Sequence, residues 1–187
     1  MAGHCIMSGF LYFYSMDIQE NIVNKVAQSG LITIDLANYA PTEEDIIVYD
    51  IKDNLFHGLI LKEKDFREFV KQHDWSKYQD KHMAIMCSTD AIVPTWAYMI
   101  LANQLTPFAK TIHFGTKEDA IRDLFSEAIQ AIDYTLYQDQ RIVVKGCGDI
   151  YVPESAFVSF THKLSQVAKS IMYGEPCSTV PVFKRKN

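Results

Sequence analysis

His82-Met-Ala-Ile-Met-Cys-Ser-Thr-Asp-Ala-Ile-Val-Pro94 is the stretch on which the fold turns. An apolar run ends abruptly in small and polar residues, and a proline then introduces Thr95-Trp-Ala-Tyr-Met-Ile-Leu, a helix-forming sequence that continues to about Leu105. Proline suits the first helical position, where its missing N–H needs no partner. The same order recurs after residues 142–144, where Gly146-Cys-Gly-Asp-Ile-Tyr-Val-Pro153 leads into Glu154. Strands that feed helices need crossover connections. The chain is therefore expected to be α/β, a mixed, largely parallel sheet covered by helices in a two- or three-layer sandwich.

Working outward, a helix around residues 63–72 groups Phe66, Phe69 and Val70, and residues 111–114 read as a strand. Ile121, Leu124, Phe125, Ala128, Ile129 and Ile132 recur at helical spacing behind Thr116 as N-cap. Phe157, Phe160, Leu164, Val167 and Ile171 read as one face of the last helix. On the amino-terminal side, residues 31–36, 46–51 and 55–61 read as short strands, with Lys52-Asp53-Asn54 as a hairpin turn; they form an antiparallel N-terminal portion of the sheet. Residues 17–28 place Ile18, Ile22, Val23 and Val26 on one helical face, which Ser29-Gly30 ends.

Residues 6–14 are apolar enough for a signal peptide, yet no Lys or Arg precedes them and no small-x-small cleavage site follows. Met16 opens a clean amphipathic helix, so residues 1–16 read as a mis-annotated leader ahead of a single α/β domain over 17–187; a short extra strand is the alternative. With 48% of 187 residues hydrophobic and 22% charged, the chain has the mix of one that buries a core. A formal net charge of -5 offers no broad positive field, so nucleic acid is not an expected partner. Lys184-Arg185-Lys186 reads as a solvated tail. No stretch approaches the roughly 20 apolar residues that span a bilayer, so no membrane association is expected.

The cysteines carry the functional reading. Cys5 lies in the leader, and the other three are an odd number, which favours reduced thiols in a cytoplasm over disulfides. Cys87 and Cys147 both follow a strand and precede Asp-x-x-Val-Pro, with Asp90 and Asp149 as the acid; Cys177-Ser-Thr-Val-Pro181 repeats the pattern without the Asp. A thiol between a strand and a helix lies near backbone N–H groups and a positive helix end, which favours the thiolate that binds metals and attacks electrophiles. Cys87, Cys147 and Cys177 are thus expected to hold zinc or an iron–sulfur cluster, with Asp90 and Asp149 as additional donors or as groups that orient the ligands.

Two other readings stand beside this one. Cys147, flanked by Gly146 and Gly148, is the best candidate for the nucleophile of a thiol-dependent enzyme. Alternatively the cysteines are structural, in a protein-interaction module. Free cysteine often fills buried space as a small hydrophobe, and the chain has no C-x-x-C pair. Asp90 and Asp149 would then be loop or pre-helix caps. His57, His73, His82, His113 and His162 lack metal-ligand spacing and read as surface or satisfied core residues. Trp75, Trp96, Phe66 and Phe69 fit core packing, and Lys62-Glu-Lys-Asp65 fits a solvated helix start. No nucleophile elbow, Walker loop or dinucleotide fingerprint is present.

Asn21-Ile-Val-Asn-Lys-Val-Ala-Gln-Ser-Gly30, Leu59-Ile-Leu-Lys-Glu-Lys-Asp-Phe-Arg67, Ile92-Val-Pro-Thr-Trp-Ala97, Lys145-Gly-Cys-Gly-Asp149 and Ser170-Ile-Met-Tyr-Gly-Glu-Pro-Cys-Ser-Thr-Val-Pro181 resemble a bacterial family catalogued as domain of unknown function number 2480. The resemblance covers residues 18–185 and brings no established activity. It implies a neighbourhood of iron–sulfur cluster assembly, hence a scaffold, carrier or accessory role with assembly proteins as partners. It favours iron over zinc.

Overall fold

The computed structural model describes residues 30–146 and 148–186. The helix expected over 17–28, the expected leader with Cys5, and Cys147 lie outside the described residues.

The elements run β1 (Leu31–Asp35), β2 (Ile46–Asp50), α1 (Glu63–Gln72), β3 (His82–Met86), α2 (Thr95–Leu105), β4 (Thr111–Phe114), α3 (Lys117–Gln130), β5 (Arg141–Lys145), α4 (Glu154–Leu164), β6 (Ser170–Glu175) and β7 (Ser178–Lys184). They form two sheets. Sheet I has the order β2-β3-β4 and is parallel throughout; sheet II has the order β1-β5-β6-β7, parallel except for β7. The α/β class and its largely parallel pairing are as expected.

Five local expectations need correction. The antiparallel portion is C-terminal, since β1 pairs in parallel with β5 and β2 with β3. Residues 51–54 wind into a 3-10 turn because the Asp50 carboxylate accepts the Lys52 N–H at 3.0 Å. Residues 55–61 are not a strand: His57 and Gly58, at φ 52° and 70°, make a tight turn closed by a single Phe56–Ile60 bridge. The last helix stops at Leu164, and Ile171 lies opposite Ile142 in β6. Leu164, Val167 and Ile171 fit helical spacing, but sheet II gains a third parallel strand only if the chain straightens there. The tail is likewise ordered as β7, and Arg185 reaches Asp139 at 2.7 Å and the Gln166 carbonyl at 3.0 Å rather than lying in solvent.

The two sheets are copies of one another. Residues 74–116 map onto 133–175 at a constant displacement of 59 positions without a gap: Asp74 to Asp133, Pro94 to Pro153, Gly115 to Gly174. The hydrogen bonds repeat as well. Asp80 N–H to Phe108 O and Asp139 N–H to Val167 O both measure 2.9 Å; Lys110 N–H to Lys81 O and Lys169 N–H to Gln140 O both measure 2.8 Å. Trp75 Nε1 donates to Val70 O at 2.9 Å as the Tyr134 hydroxyl donates to Ile129 O at 3.0 Å. Gly115 and Gly174 share φ 118°, where only glycine is at ease. Leu31 faces Arg141 in β1–β5 as Ile46 faces His82 in β2–β3. The halves are therefore β2-α1-β3-α2-β4 and β1-α3-β5-α4-β6. The first strand of the chain belongs to the second half.

Strand alternation sets the layers. Met83 and Ile85 of β3 join α1 and α2 in one core with Phe66, Trp75, Leu101 and Leu105. Ala84 points the other way, with Ile46, into a second core built from α3, α4 and sheet II residues Ile34, Ile142, Val144 and Ile171. Helix α3 contacts β2, β3 and β4, so it is packed between the sheets. Its sequence shows why. Phe125 and Ile129 stand where α1 has Phe66 and Val70, but the buried Ile121 and Leu124 stand where the first half has exposed Lys62 and Asp65. Helix α1 needs one apolar face; α3 needs two.

Candidate functional site

Parallel sheets take ligands beyond the carboxyl ends of their strands. The described residues form two such edges. On sheet I, Asp50 ends β2 and ties down the loop after β3: its Oδ1 accepts N–H bonds from Lys52 at 3.0 Å and Ser88 at 3.1 Å, and Lys52 Nζ lies 3.2 Å from Oδ2. Burial pushes the Asp50 carboxyl up, but the Ser88 and Lys52 hydrogen bonds outweigh it and hold it at about 2. Cys87 is half-buried, with its S–H aimed at the Thr89 carbonyl at 3.4 Å. Tyr98 stands close to it. Burial, with Cys87 and Asp50 nearby, raises the Tyr98 hydroxyl above its ordinary range, and its ring meets Phe114 edge-on at 5.2 Å.

On sheet II the corresponding acid is Asp35, which accepts the Ala37 N–H at 3.0 Å. Lys145 lies 3.4 Å from Asp35 and 3.5 Å from Glu175, and these carboxylates, Glu175 first, raise its affinity for protons. A cavity of about 490 Å³ opens beside Gly146, among Val144, Phe157, Ile171, Tyr173 and Val182. Cys177 is exposed in the two-residue turn between β6 and β7. The tail pattern is thus a hairpin turn, unlike the strand-to-helix loop that holds Cys87.

The 59-residue displacement changes how the cysteine echo reads. Asp90 and Asp149 are equivalent, as are Pro94 and Pro153, but Cys87 corresponds to Gly146 and Cys147 to Ser88. The shared Asp-x-x-Val-Pro belongs to the duplicated framework. Pro94 and Pro153 sit at the N-cap, one residue ahead of the expected position, and their carbonyls accept the N–H of Ala97 and Ala156 at 2.9 Å. Asp90 and Asp149 are exposed. Cys87 lies on sheet I and Cys177 on sheet II. Among the described residues, no three His, Cys, Asp or Glu groups are arranged to hold a metal.

The structure adds a polar chain, running from buried His82 and His113 out to exposed Asp123, that single-residue spacing did not disclose. His82 Nδ1 lies 2.7 Å from Thr111 Oγ1, which lies 2.7 Å from His113 Nε2, and His113 Nδ1 lies 3.2 Å from Asp123 of α3. One proton order satisfies all three contacts. Asp123 accepts from His113 Nδ1–H, His113 Nε2 accepts the threonine hydroxyl, and Thr111 Oγ1 accepts from His82 Nδ1–H. Both histidines are thus satisfied core groups. The signal for Asp35 and Asp50 was present in sequence as an Asp closing each of the first two strands, Ile-Asp35-Leu and Tyr-Asp50-Ile.

Among the described residues no helix is long and apolar enough to cross a membrane. No curated protein and no solved structure matches the chain. The chain belongs to the protein-of-unknown-function family DUF2480, whose sequence model matches residues 20–185.

Proposed function

We propose that this chain is a non-catalytic accessory protein that holds an iron–sulfur cluster or zinc through thiolates at its strand ends, with Cys147 and Cys177 as the leading pair. The observation that carries the reading is the pairing of β5 with β6. Gly146, the residue before Cys147, follows β5, and exposed Cys177 follows β6. Neighbouring strands run about 4.8 Å apart, and thiolates sharing a metal each lie about 2.3 Å from it. Cys87 is the third thiolate of the sequence reading, and Asp90 and Asp149 are its accessory carboxylates. A set completed by a partner's donors suits a cluster that is passed on, with iron–sulfur assembly proteins as partners. A cytoplasmic setting belongs to the same reading, supported by free Cys87 and Cys177.

Anaerobic purification followed by metal and sulfide analysis tests it, on wild type and on Cys87→Ser, Cys147→Ser and Cys177→Ser. Loss of metal in Cys147→Ser and Cys177→Ser is expected, and the Cys87→Ser result decides whether that thiol is a ligand. Wild type that takes up neither zinc nor iron and sulfide under anaerobic reconstitution rejects the reading.

A protein-interaction module is the second reading, favoured by one patch. Phe56, Leu59, Ile60 and Ile92 are 43%, 66%, 51% and 79% exposed, and the Phe56–Ile60 and Ile60–Ile92 bridges gather them on one surface. Leu59→Lys with Ile92→Lys should leave stability within about 1 kcal/mol of wild type while reducing association with assembly proteins in sedimentation velocity.

A further inference from the structure

Because the two halves share a framework, the positions at which they differ most are those the framework does not dictate. Helices α1 and α2 of the first half correspond to α3 and α4 of the second, and their buried positions keep their character: Val70 matches Ile129, Ala97 matches Ala156 and Leu105 matches Leu164. The groove between the two helices does not. In the first half Arg67, Lys71, Trp96, Met99, Ile100 and Asn103 line it, and it measures about 450 Å³. Their equivalents are Ser126, Gln130, Ser155, Val158, Ser159 and His162. There α3 and α4 pack closely and leave only about 210 Å³ beside Ser126, Ser155 and Ser159. Serines let the groove close; an arginine, a tryptophan and an isoleucine hold it open.

Both charged groups that line the open groove are cations, although the chain as a whole carries a net charge of -5. Arg67 and Lys71 stand four residues apart on α1, which places them on one face about 6 Å apart along the axis. The Arg67 guanidinium lies 5.9 Å from the centre of the Trp96 ring, and its carboxylate partner is Glu63 at 2.8 Å, an exposed pair of the kind that holds weakly. Lys71 has no carboxylate partner among the described residues. Across the groove α2 carries no charged residue and presents Trp96, Ile100 and Met99, the last 67% exposed. One wall is cationic and the other apolar.

We propose that the α1–α2 groove is a docking site for an acidic amphipathic helix of a partner protein, which sets two carboxylates one turn apart against Arg67 and Lys71 and lays an apolar stripe on Trp96, Met99 and Ile100. Charge complementarity selects this occupant. A purely apolar segment would cover two cations without pairing them, and a small anion would leave the apolar wall in water. The groove shares no residue with the strand-end cysteines or with the Phe56–Ile92 patch, so it stands apart from both readings above.

Fluorescence anisotropy of the full chain with a labelled helical probe of about 18 residues tests the proposal. The probe carries Glu at i and i+4 beside a Leu stripe, and a control probe has Gln in place of Glu. The Glu probe should bind saturably and roughly tenfold or more tighter than the Gln probe. Arg67→Ser with Lys71→Gln, the residues of the second half, should weaken the Glu probe by roughly tenfold or more, whereas Lys64→Gln with Lys77→Gln, an equal loss of charge elsewhere, should leave it within about twofold. All four positions are exposed, so both variants should fold, which circular dichroism checks. No saturable binding, equal binding of the two probes, or equal weakening by the two double variants would each overturn the proposal. Displacement of the Glu probe by equimolar citrate would overturn it in favour of a small anion. A dimer in sedimentation velocity that Arg67→Ser with Lys71→Gln abolishes would overturn it in favour of a second copy.

Discussion

His82 is buried as a neutral group, and burial first, then Lys110 and His113, lowers its affinity for protons; Asp45 and Glu127 oppose this and lose. An unfolded chain regains an ordinary imidazole near pH 6.5. Stability is therefore complete above that value and declines as pH falls through it toward the lower folded value. His73, lowered mainly by burial, acts with the same sign. Thermal melts at pH 7.5 and 5.5 should show a lower Tm in acid, and His82→Gln should flatten part of the slope. At Gly146 the issue is space. A Cβ there would meet Phe157 Cζ at 2.6 Å, so Gly146→Ala should cost about 1–3 kcal/mol in a denaturant titration. Cys87, its counterpart, already carries a Cβ close to Tyr98; the two loops have diverged at this position.

At the scale of elements, α3 is the most explicitly specified segment. Thr116 accepts the Asp119 N–H at 3.2 Å while Asp119 accepts the Thr116 N–H at 2.8 Å, a reciprocal cap. Thr116→Ala should lower stability by about 1 kcal/mol, measured by chemical denaturation. This cap and the following apolar repeat were legible in sequence, as were the cores of the other strands and helices whose period and length agreed. Leu164-Val167-Ile171 was not, because three apolar residues at mixed spacing serve a helix end followed by a strand equally well. Phe56, Leu59 and Ile60 misled for a different reason: they have strand composition, but a turn with positive φ at His57 and Gly58 left them on the surface. Of the candidate site, the Asp-x-x-Val-Pro framework was visible. What it meant was hidden, since a repeated framework and a shared ligand site leave the same local pattern. Only the full 59-residue register separates them.

At the scale of the molecule, α3 links two sheets that share no strand pairing among the described residues. Replacing Ile121 with Lys and Leu124 with Asp gives it the charges found at the equivalent positions of the first half. That double variant should split one cooperative unfolding transition into two in calorimetry, because the shared core is lost while each sheet keeps its own helices. The placement of β1 has its own effect on how the protein comes into being. Sheet I pairs strands drawn from residues 46–114, whereas Leu31 must wait for Arg141 before β1 has a partner. Long loop closures slow folding, so sheet I condenses first and the edge beside Gly146 matures last. Both tryptophans, Trp75 and Trp96, pack in the core of sheet I. Their fluorescence will therefore reach its native value while the second half is still assembling, and a refolding clock set by tryptophan alone will run fast.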